Sequence, residues 1–157
     1  MPPKIVVITG PTATGKTRLG VLLCRKTGGE VVSADSMQIY RGMDIGTAKP
    51  TAAEMEGVAH HMMGVVSPQE QFSVSRYVDM AAACTDDILK RGKLPFLVGG
   101  TGLYIDSLIS GRNFAHRAGD GELRCSLGAK YEALGGEKML EMLAERDPET
   151  ATRLHPN

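Results

Sequence analysis

The stretch Gly10-Pro-Thr-Ala-Thr-Gly15-Lys16-Thr17 constrains this chain more than any other. It fits G-x-x-x-x-G-K-[ST] without a gap. The run before it, Lys4-Ile-Val-Val-Ile-Thr9, is short, β-branched and apolar, as a buried parallel strand should be. After it, Leu19, Leu22 and Leu23 fall on one helical face. A strand passing through glycines into a helix N-terminus leaves backbone N–H groups unpaired and converging on one place, where they favour an anion. Gly10, Pro11, Thr12, Ala13, Thr14 and Gly15 therefore form a candidate phosphate cradle. Lys16 adds a mobile positive charge, and the Thr17 hydroxyl is placed to ligate Mg²⁺. The expected ligand is a di- or triphosphate.

Around this loop the sequence reads as an α/β chain. Glu30-Val-Val-Ser-Ala-Asp35 is a second strand, entered through Gly28-Gly29. Asp35 to Pro50 is polar and glycine-studded, the composition of a long functional loop. Thr51 to Gly57 suits a short helix, and Met62 to Val66 a strand that Pro68 ends. A helix is expected from the N-cap Ser73 to Arg91, with Val74, Tyr77, Val78, Ala81, Ile88 and Leu89 on its apolar face. Leu94-Pro-Phe-Leu-Val98 is another buried strand, delivering Gly99-Gly-Thr-Gly102 and a helix over 103–110. From Gly111 the character changes to a polar connection and helices near Glu122–Leu134 and Glu137–Glu145. Leu123, Leu127, Tyr131 and Leu134 stripe the first of these. Asp147-Pro148 opens a last turn. The expected fold is a P-loop NTPase-like three-layer core with a parallel sheet over 1–112, then an all-helical piece over 113–157.

Composition narrows the partners. Lys plus Arg equals Asp plus Glu, 18 against 18, so no overall field draws the chain to nucleic acid or membrane. Neither part is basic: residues 1–110 carry 11 basic and 10 acidic side chains, and residues 111–157 carry 7 and 8. A nucleic-acid partner has to be argued from local residues. Cys24, Cys84 and Cys125 are odd in number and widely spaced, which favours free thiols in a reducing compartment. The chain lacks an apolar leader and any membrane-length apolar run, so a cytoplasmic protein without a membrane partner is expected.

Ligands of an open parallel α/β sheet bind outside the carboxyl ends of its strands. Three of the strands end in Gly10–Thr17, in Asp35-Ser36-Met37-Gln38 and in Gly99-Gly-Thr101-Gly102, so these segments should converge. Asp35 is a candidate general base facing a bound polyphosphate. It also suits holding magnesium through water, or capping its own strand end in an Asx turn. Gln38 carries a donor and an acceptor, as a reader of a purine edge would. Thr101 lies between glycines, where backbone and hydroxyl can both approach a ligand, or where a tight turn needs positive φ. His60-His61 resemble a metal pair but lack neighbouring acidic or Cys partners. The methionines of 55–63 read as core.

Taken together, Gly10–Thr17, the segment Asp35–Pro50, His60-His61, Phe72-Ser-Val74 and Gly99-Gly-Thr-Gly-Leu-Tyr104 resemble the bacterial tRNA dimethylallyltransferases, also called tRNA isopentenyltransferases. The resemblance covers residues 4–111, and His155-Pro-Asn157 is similar to the start of a further family motif. It implies transfer of a five-carbon group from dimethylallyl diphosphate to N6 of adenine 37, beside the anticodon of tRNA. The phosphate loop would hold a diphosphate leaving group, with Lys16 and the backbone amides taking up its charge and Mg²⁺ on Thr17. Asp35 would take the amine proton. Ser36, Met37 and Gln38 would line the pocket of an extruded adenine. Thr101 would sit beside the reacting centre and contact tRNA. The segment after 112 would grip the anticodon stem-loop, with Arg112, Arg117 and Arg124 as candidate phosphate contacts.

Two departures stand out. Members usually continue His-His-Leu-Ile/Leu-Asp, where this chain has His60-His-Met-Met-Gly64. Members also run to about twice this length, which implies a C-terminally truncated version, working as a monomer or binding diphosphate without turnover. Two other readings stay open. An adenylate isopentenyltransferase would accept free nucleotide, and a phosphate-loop kinase would transfer the γ-phosphate of ATP to a small metabolite.

Overall fold

The computed structural model describes residues 4–111 and 121–156. The chain divides into two compact units, Met1–Phe114 and Ala115–Asn157. In the first, four parallel strands form one sheet: β1 (Val6–Thr9), β2 (Glu30–Ser33), β3 (His60–His61) and β4 (Pro95–Gly99), ordered β1-β4-β2-β3. The register pairs Val7 with Leu97 and Val32 with Leu97, so β4 is an interior strand between β1 and β2. All five of its residues are buried. Helix α1 (Lys16–Thr27) packs on one face, over Ile8, Val31, Phe96 and Val98. On the other face α3 (Val74–Lys90) and α4 (Gly102–Ile109) bury Val32, Leu97, Tyr77, Ala81, Ile88 and Ile105. A short α2 (Ala52–Met55) lies between β2 and β3. The result is three layers, helix–sheet–helix.

Local chemistry accounts for the helix boundaries. Ser73 caps α3, its side chain accepting from Arg76 N–H at 3.2 Å. Thr51 and Glu54 close a reciprocal capping box on α2. Gly28 ends α1 in the left-handed conformation. Tyr77 and Tyr104 stack at 3.9 Å between centroids and lock α3 to α4, while the Tyr77 hydroxyl donates to Ser33 O at 3.0 Å. Burying a ring of that size contributes about 2–3 kcal/mol.

Three expectations need correction. Among the described residues the first strand is an edge strand rather than a buried one: there β1 bonds only to β4, and Ile5 and Val7 are each 37% exposed. The face of α1 that packs inward is Gly20, Val21 and Cys24, while Leu19 and Leu22 are exposed. Gly20 is the cause. A Cβ there would stand 3.0 Å from Val98 Cγ2, so the helix comes close to the sheet through its bare Cα and turns Leu19 and Leu22 away, while Leu23 stays packed against the core. The strand expected over 62–66 lies earlier, at His60–His61, because Met62 and Gly64 take positive φ and break extension. Only an isolated bridge, Tyr40 with Val66, remains of it.

The second unit contains α5 (Gly121–Ala144) and α6 (Pro148–Ala151). Gly135 (φ 78, ψ 167) interrupts α5, so two helical stretches flank it. Asp147 caps α6 through Thr150 N–H at 2.9 Å, with Pro148 in the first turn. Leu123, Leu127, Tyr131 and Leu134 do form a stripe, and each is more than 40% exposed.

Candidate active site

Strand β1 delivers the glycine loop and α1 starts from it, as the sequence pattern requires. Gly15 is the N-cap of α1 at φ 81, a conformation that a side chain would strain, and no side chain caps this helix end. The first N–H groups of α1 therefore face outward with only backbone or ligand to satisfy them. The Thr14 hydroxyl donates to Pro11 O at 2.8 Å, and the Lys16 ammonium folds back to the same carbonyl. The Thr17 hydroxyl takes no hydrogen bond from any described residue.

A cavity of about 700 Å³ opens beside this loop. Its wall runs from Thr12 through Arg18, then across Asp35, Gln38, Thr47, Ala48 and Pro50, with Gly99 and Gly100 from the end of β4. The ends of β1, β2 and β4 thus meet on one space, the outcome the parallel-sheet rule requires. Asp35 is half-buried in an Asx turn: its Oδ1 accepts from Met37 N–H at 2.9 Å and Gln38 N–H at 3.2 Å. Its Oδ2 takes no hydrogen bond from a described residue. The turn and the free oxygen coexist, so the capping role leaves a chemical one available.

Gln38 is buried, and its amide nitrogen donates to Thr47 O at 3.1 Å and Ala48 O at 3.3 Å. Its donor function is spent on the loop, which leaves the oxygen. The same loop is braced by Lys49, donating to Tyr40 O at 2.8 Å and to Asp44 at 2.6 Å, and by Arg41, donating to Val65 O at 2.9 Å. These bonds explain why sixteen residues with little regular structure hold one shape.

Of the residues singled out from sequence, Thr12 to Thr17, Asp35 and Gln38 stand on the cavity wall. Gly10 and Pro11 precede it in the loop. Ser36 and Thr101 do not line the wall but bond to each other, Ser36 N–H to Thr101 Oγ1 at 3.0 Å. Met37 is 48% exposed. Neither Gly100 nor Gly102 takes the positive φ that a glycine-dependent turn would need there. Arg124 is exposed in the second unit, and Arg112 and Arg117 lie outside the described residues.

Sequence reasoning undervalued His60. Its Nδ1 sits 2.9 Å from Val58 O, and since a carbonyl only accepts, Nδ1 carries the proton. Its Nε2 is then a buried lone pair with no partner, on a residue that lines the cavity. Burial lowers its pKa and keeps the ring neutral. His61 points to a different task, bonding Glu30 at 2.8 Å. Among the described residues no group of three or more His, Cys, Asp or Glu side chains gathers as a metal site. No helix among them is long and apolar enough to cross a membrane.

Fold and cavity together define an α/β protein of the phosphate-loop class, with the glycine loop and the Asp35 carboxylate on the wall of one cavity. Comparison with known proteins then gives the family. The model of the family described as IPP transferase matches residues 38–157, and that described as isopentenyl transferase matches residues 3–67. The tRNA dimethylallyltransferase of Desulforudis audaxviator is 54% identical over all of this chain and 50% of its own length. That of Caldanaerobacter subterraneus is 52% identical over 98% of the chain and 49% of its own length. The crystal structure of the full-length tRNA isopentenylpyrophosphate transferase from Bacillus halodurans superposes with a TM-score of 0.70 at 47% identity, covering 98% of this chain and 51% of that one. A eukaryotic dimethylallyltransferase acting on tRNA gives 0.81 at 33% identity, over 99% of this chain and 38% of that one. The chain belongs to the IPP transferase family, and it spans about half the length of the curated relatives it matches.

Proposed function

We propose that the chain carries the donor-site half of an enzyme that transfers the dimethylallyl group from dimethylallyl diphosphate to N6 of adenine 37 in tRNA. The observation that carries this reading is the single cavity wall shared by the phosphate loop and Asp35. In the reaction the amine nitrogen attacks the first carbon of the dimethylallyl group, the C–O bond to diphosphate breaks, and one N6 proton leaves. Lys16 and the backbone N–H groups at the start of α1 would take up the charge growing on diphosphate, a larger effect in an enclosed site than in water. Asp35 Oδ2, the oxygen left free by the Asx turn, would accept the proton. Extruding the base is required, since a stacked adenine cannot bring N6 to an electrophile inside a protein.

The Thr17 hydroxyl, unbonded and on the cavity wall, fits one ligand position of Mg²⁺. That ion keeps waters and substrate oxygens as its other ligands, so a site poor in protein carboxylates suits it. When bound it would supply charge neutralisation to the leaving diphosphate. Ser36, Met37, Gln38 and Thr101 form the adenine side of this reading. The helical unit over 113–157 forms the stem-loop side, with Arg124, exposed and unpaired with any carboxylate among the described residues, as a phosphate contact. A tRNA substrate places the work in the cytoplasm.

The test incubates the chain with labelled dimethylallyl diphosphate, Mg²⁺ and an anticodon stem-loop carrying adenine at position 37. Label on the RNA is the expected result. Label on free AMP in preference to RNA transfers the reading to adenylate prenylation. Consumption of ATP γ-phosphate without prenyl transfer replaces it with a kinase.

A further inference from the structure

Thr101 is the N-cap of α4 by position, yet its hydroxyl does not cap that helix. The other side-chain-bearing N-caps behave ordinarily: Thr51, Ser73 and Asp147 each accept from the backbone N–H three residues on. The Thr101 hydroxyl reaches instead to the segment after β2. It accepts from Ser36 N–H at 3.0 Å and lies 3.3 Å from Ser36 Oγ, where its proton goes. The backbone N–H of Thr101 donates to Ala34 O at 3.1 Å. The residue between Ala34 and Ser36 is Asp35. We propose that Thr101 is a positioning residue for Asp35, holding both of its peptide neighbours so that its carboxylate keeps one orientation in the cavity. The proposal rests on the prenyl-transfer reading for what Asp35 does, and on geometry alone for how Asp35 is held.

Two features support it. First, leaving a helix N-terminus uncapped by an available threonine costs stability, and such local breaches of the usual rule collect at functional sites. Second, the approach is built into the backbone. A Cβ at Gly99 would stand 2.2 Å from Ala34 O, so only glycine lets the end of β4 come this close to the end of β2. Because Asp35 Oδ1 is fixed by Met37 and Gln38 N–H, the direction of Oδ2 follows this stretch of backbone. Thr101 is what anchors that stretch from outside. A general base works only within hydrogen-bond reach of its proton, and small misplacements slow the step steeply.

The experiment compares the wild-type chain with Thr101→Val, which keeps the shape and the backbone N–H, and Thr101→Ser, which keeps the hydroxyl. Amide exchange at Ser36 and the pH titration of the Asp35 carboxyl carbon are read by NMR, with the Leu97 amide as internal reference. Transfer to the stem-loop is measured in parallel. Thr101→Val should speed Ser36 exchange about tenfold, the loss of one hydrogen bond, without moving Leu97. It should displace the Asp35 titration and lower kcat by about tenfold or more with KM for the stem-loop unchanged. Thr101→Ser should restore all three. An unmoved Ser36 amide overturns the proposal, as does a raised KM with kcat intact, which would give Thr101 a substrate contact and no part in holding Asp35. If the wild-type chain transfers nothing, the prenyl-transfer reading fails, and the exchange and titration results still decide how Asp35 is held.

Discussion

Strand β2 has a carboxylate at each end, Glu30 where it enters the sheet and Asp35 just beyond where it leaves, and the two are treated in opposite ways. Glu30 is 4% exposed and fully answered: Arg91 donates twice, at 2.5 and 2.7 Å, Lys93 once at 2.7 Å, and His61 stands 2.8 Å away. The Arg91 guanidinium, with help from Lys93 and His61, holds its pKa far below the ordinary carboxylate range against the cost of burial. Asp35 has one oxygen tied to its own turn and the other without a partner. The amino end of the sheet is therefore a fastening, binding β2, β3 and the α3–β4 turn together. The cavity wall holds polar atoms that the described residues leave unanswered: Asp35 Oδ2 and the Thr17 hydroxyl at the carboxyl end, and His60 Nε2 at the start of β3. Unmet hydrogen-bonding capacity on one cavity wall is what a substrate can use.

Exchanging the charge for an amide at each end is the sharpest way to break this contrast. Asp35→Asn should slow prenyl transfer by about a hundredfold or more while leaving the denaturation midpoint in place. An unchanged single-turnover rate would remove Asp35 from the chemistry. Lys16→Ala, in the same cavity, should weaken diphosphate binding by about tenfold to a hundredfold in calorimetry, the worth of a charge-assisted hydrogen bond.

Glu30→Gln should do the reverse of Asp35→Asn, costing about 2–3 kcal/mol in urea unfolding with the site chemistry untouched. The figure is held down because Arg91 and Lys93 are partly exposed and regain water. The pH dependence has a definite sign. Because the folded-state pKa of Glu30 lies below its ordinary 4.5, its contribution is complete above that pH and is lost as the pH falls through the folded value. The acid limb of stability should flatten in Glu30→Gln.

The smallest effect concerns the thiols. Burial, with the Glu30 charge adding to it, pushes Cys24 up to about 11, whereas Cys125 is exposed. A thiol reagent at neutral pH should label Cys125 at once, Cys84 more slowly, and Cys24 only on unfolding. Rapid labelling of Cys24 in the native chain would mean that α1 does not stay on the sheet.

Much of this was legible from residues alone because it is local. The phosphate loop, the Ser73 and Asp147 caps and the break between the two stretches of α5 depend on neighbours within a few positions. So does the placing of three chemical segments at strand ends. What sequence hid is non-local. Which strand lies at the edge depends on β4 entering between β1 and β2, a pairing across ninety residues. The fastening at Glu30 joins it to Arg91 and Lys93, more than sixty positions away. An acidic residue opening a buried strand was a signal that could have prompted a search for basic partners before β4. The inward face of α1 was misread because apolar periodicity weighs leucine above glycine, and here contact distance, not side-chain area, decided which face turned in.

That choice at Gly20 reaches further than packing. Since α1 rests on Val98 through a bare Cα, any added carbon would act as a shim beneath the helix, and Val98 itself borders the cavity. The tilt would be carried one turn back to Lys16 and Thr17, displacing an anion seat that the new methyl group never touches. A stability screen would score such a variant as a mild core defect, while a ligand titration would register it as damage to the mouth of the cavity.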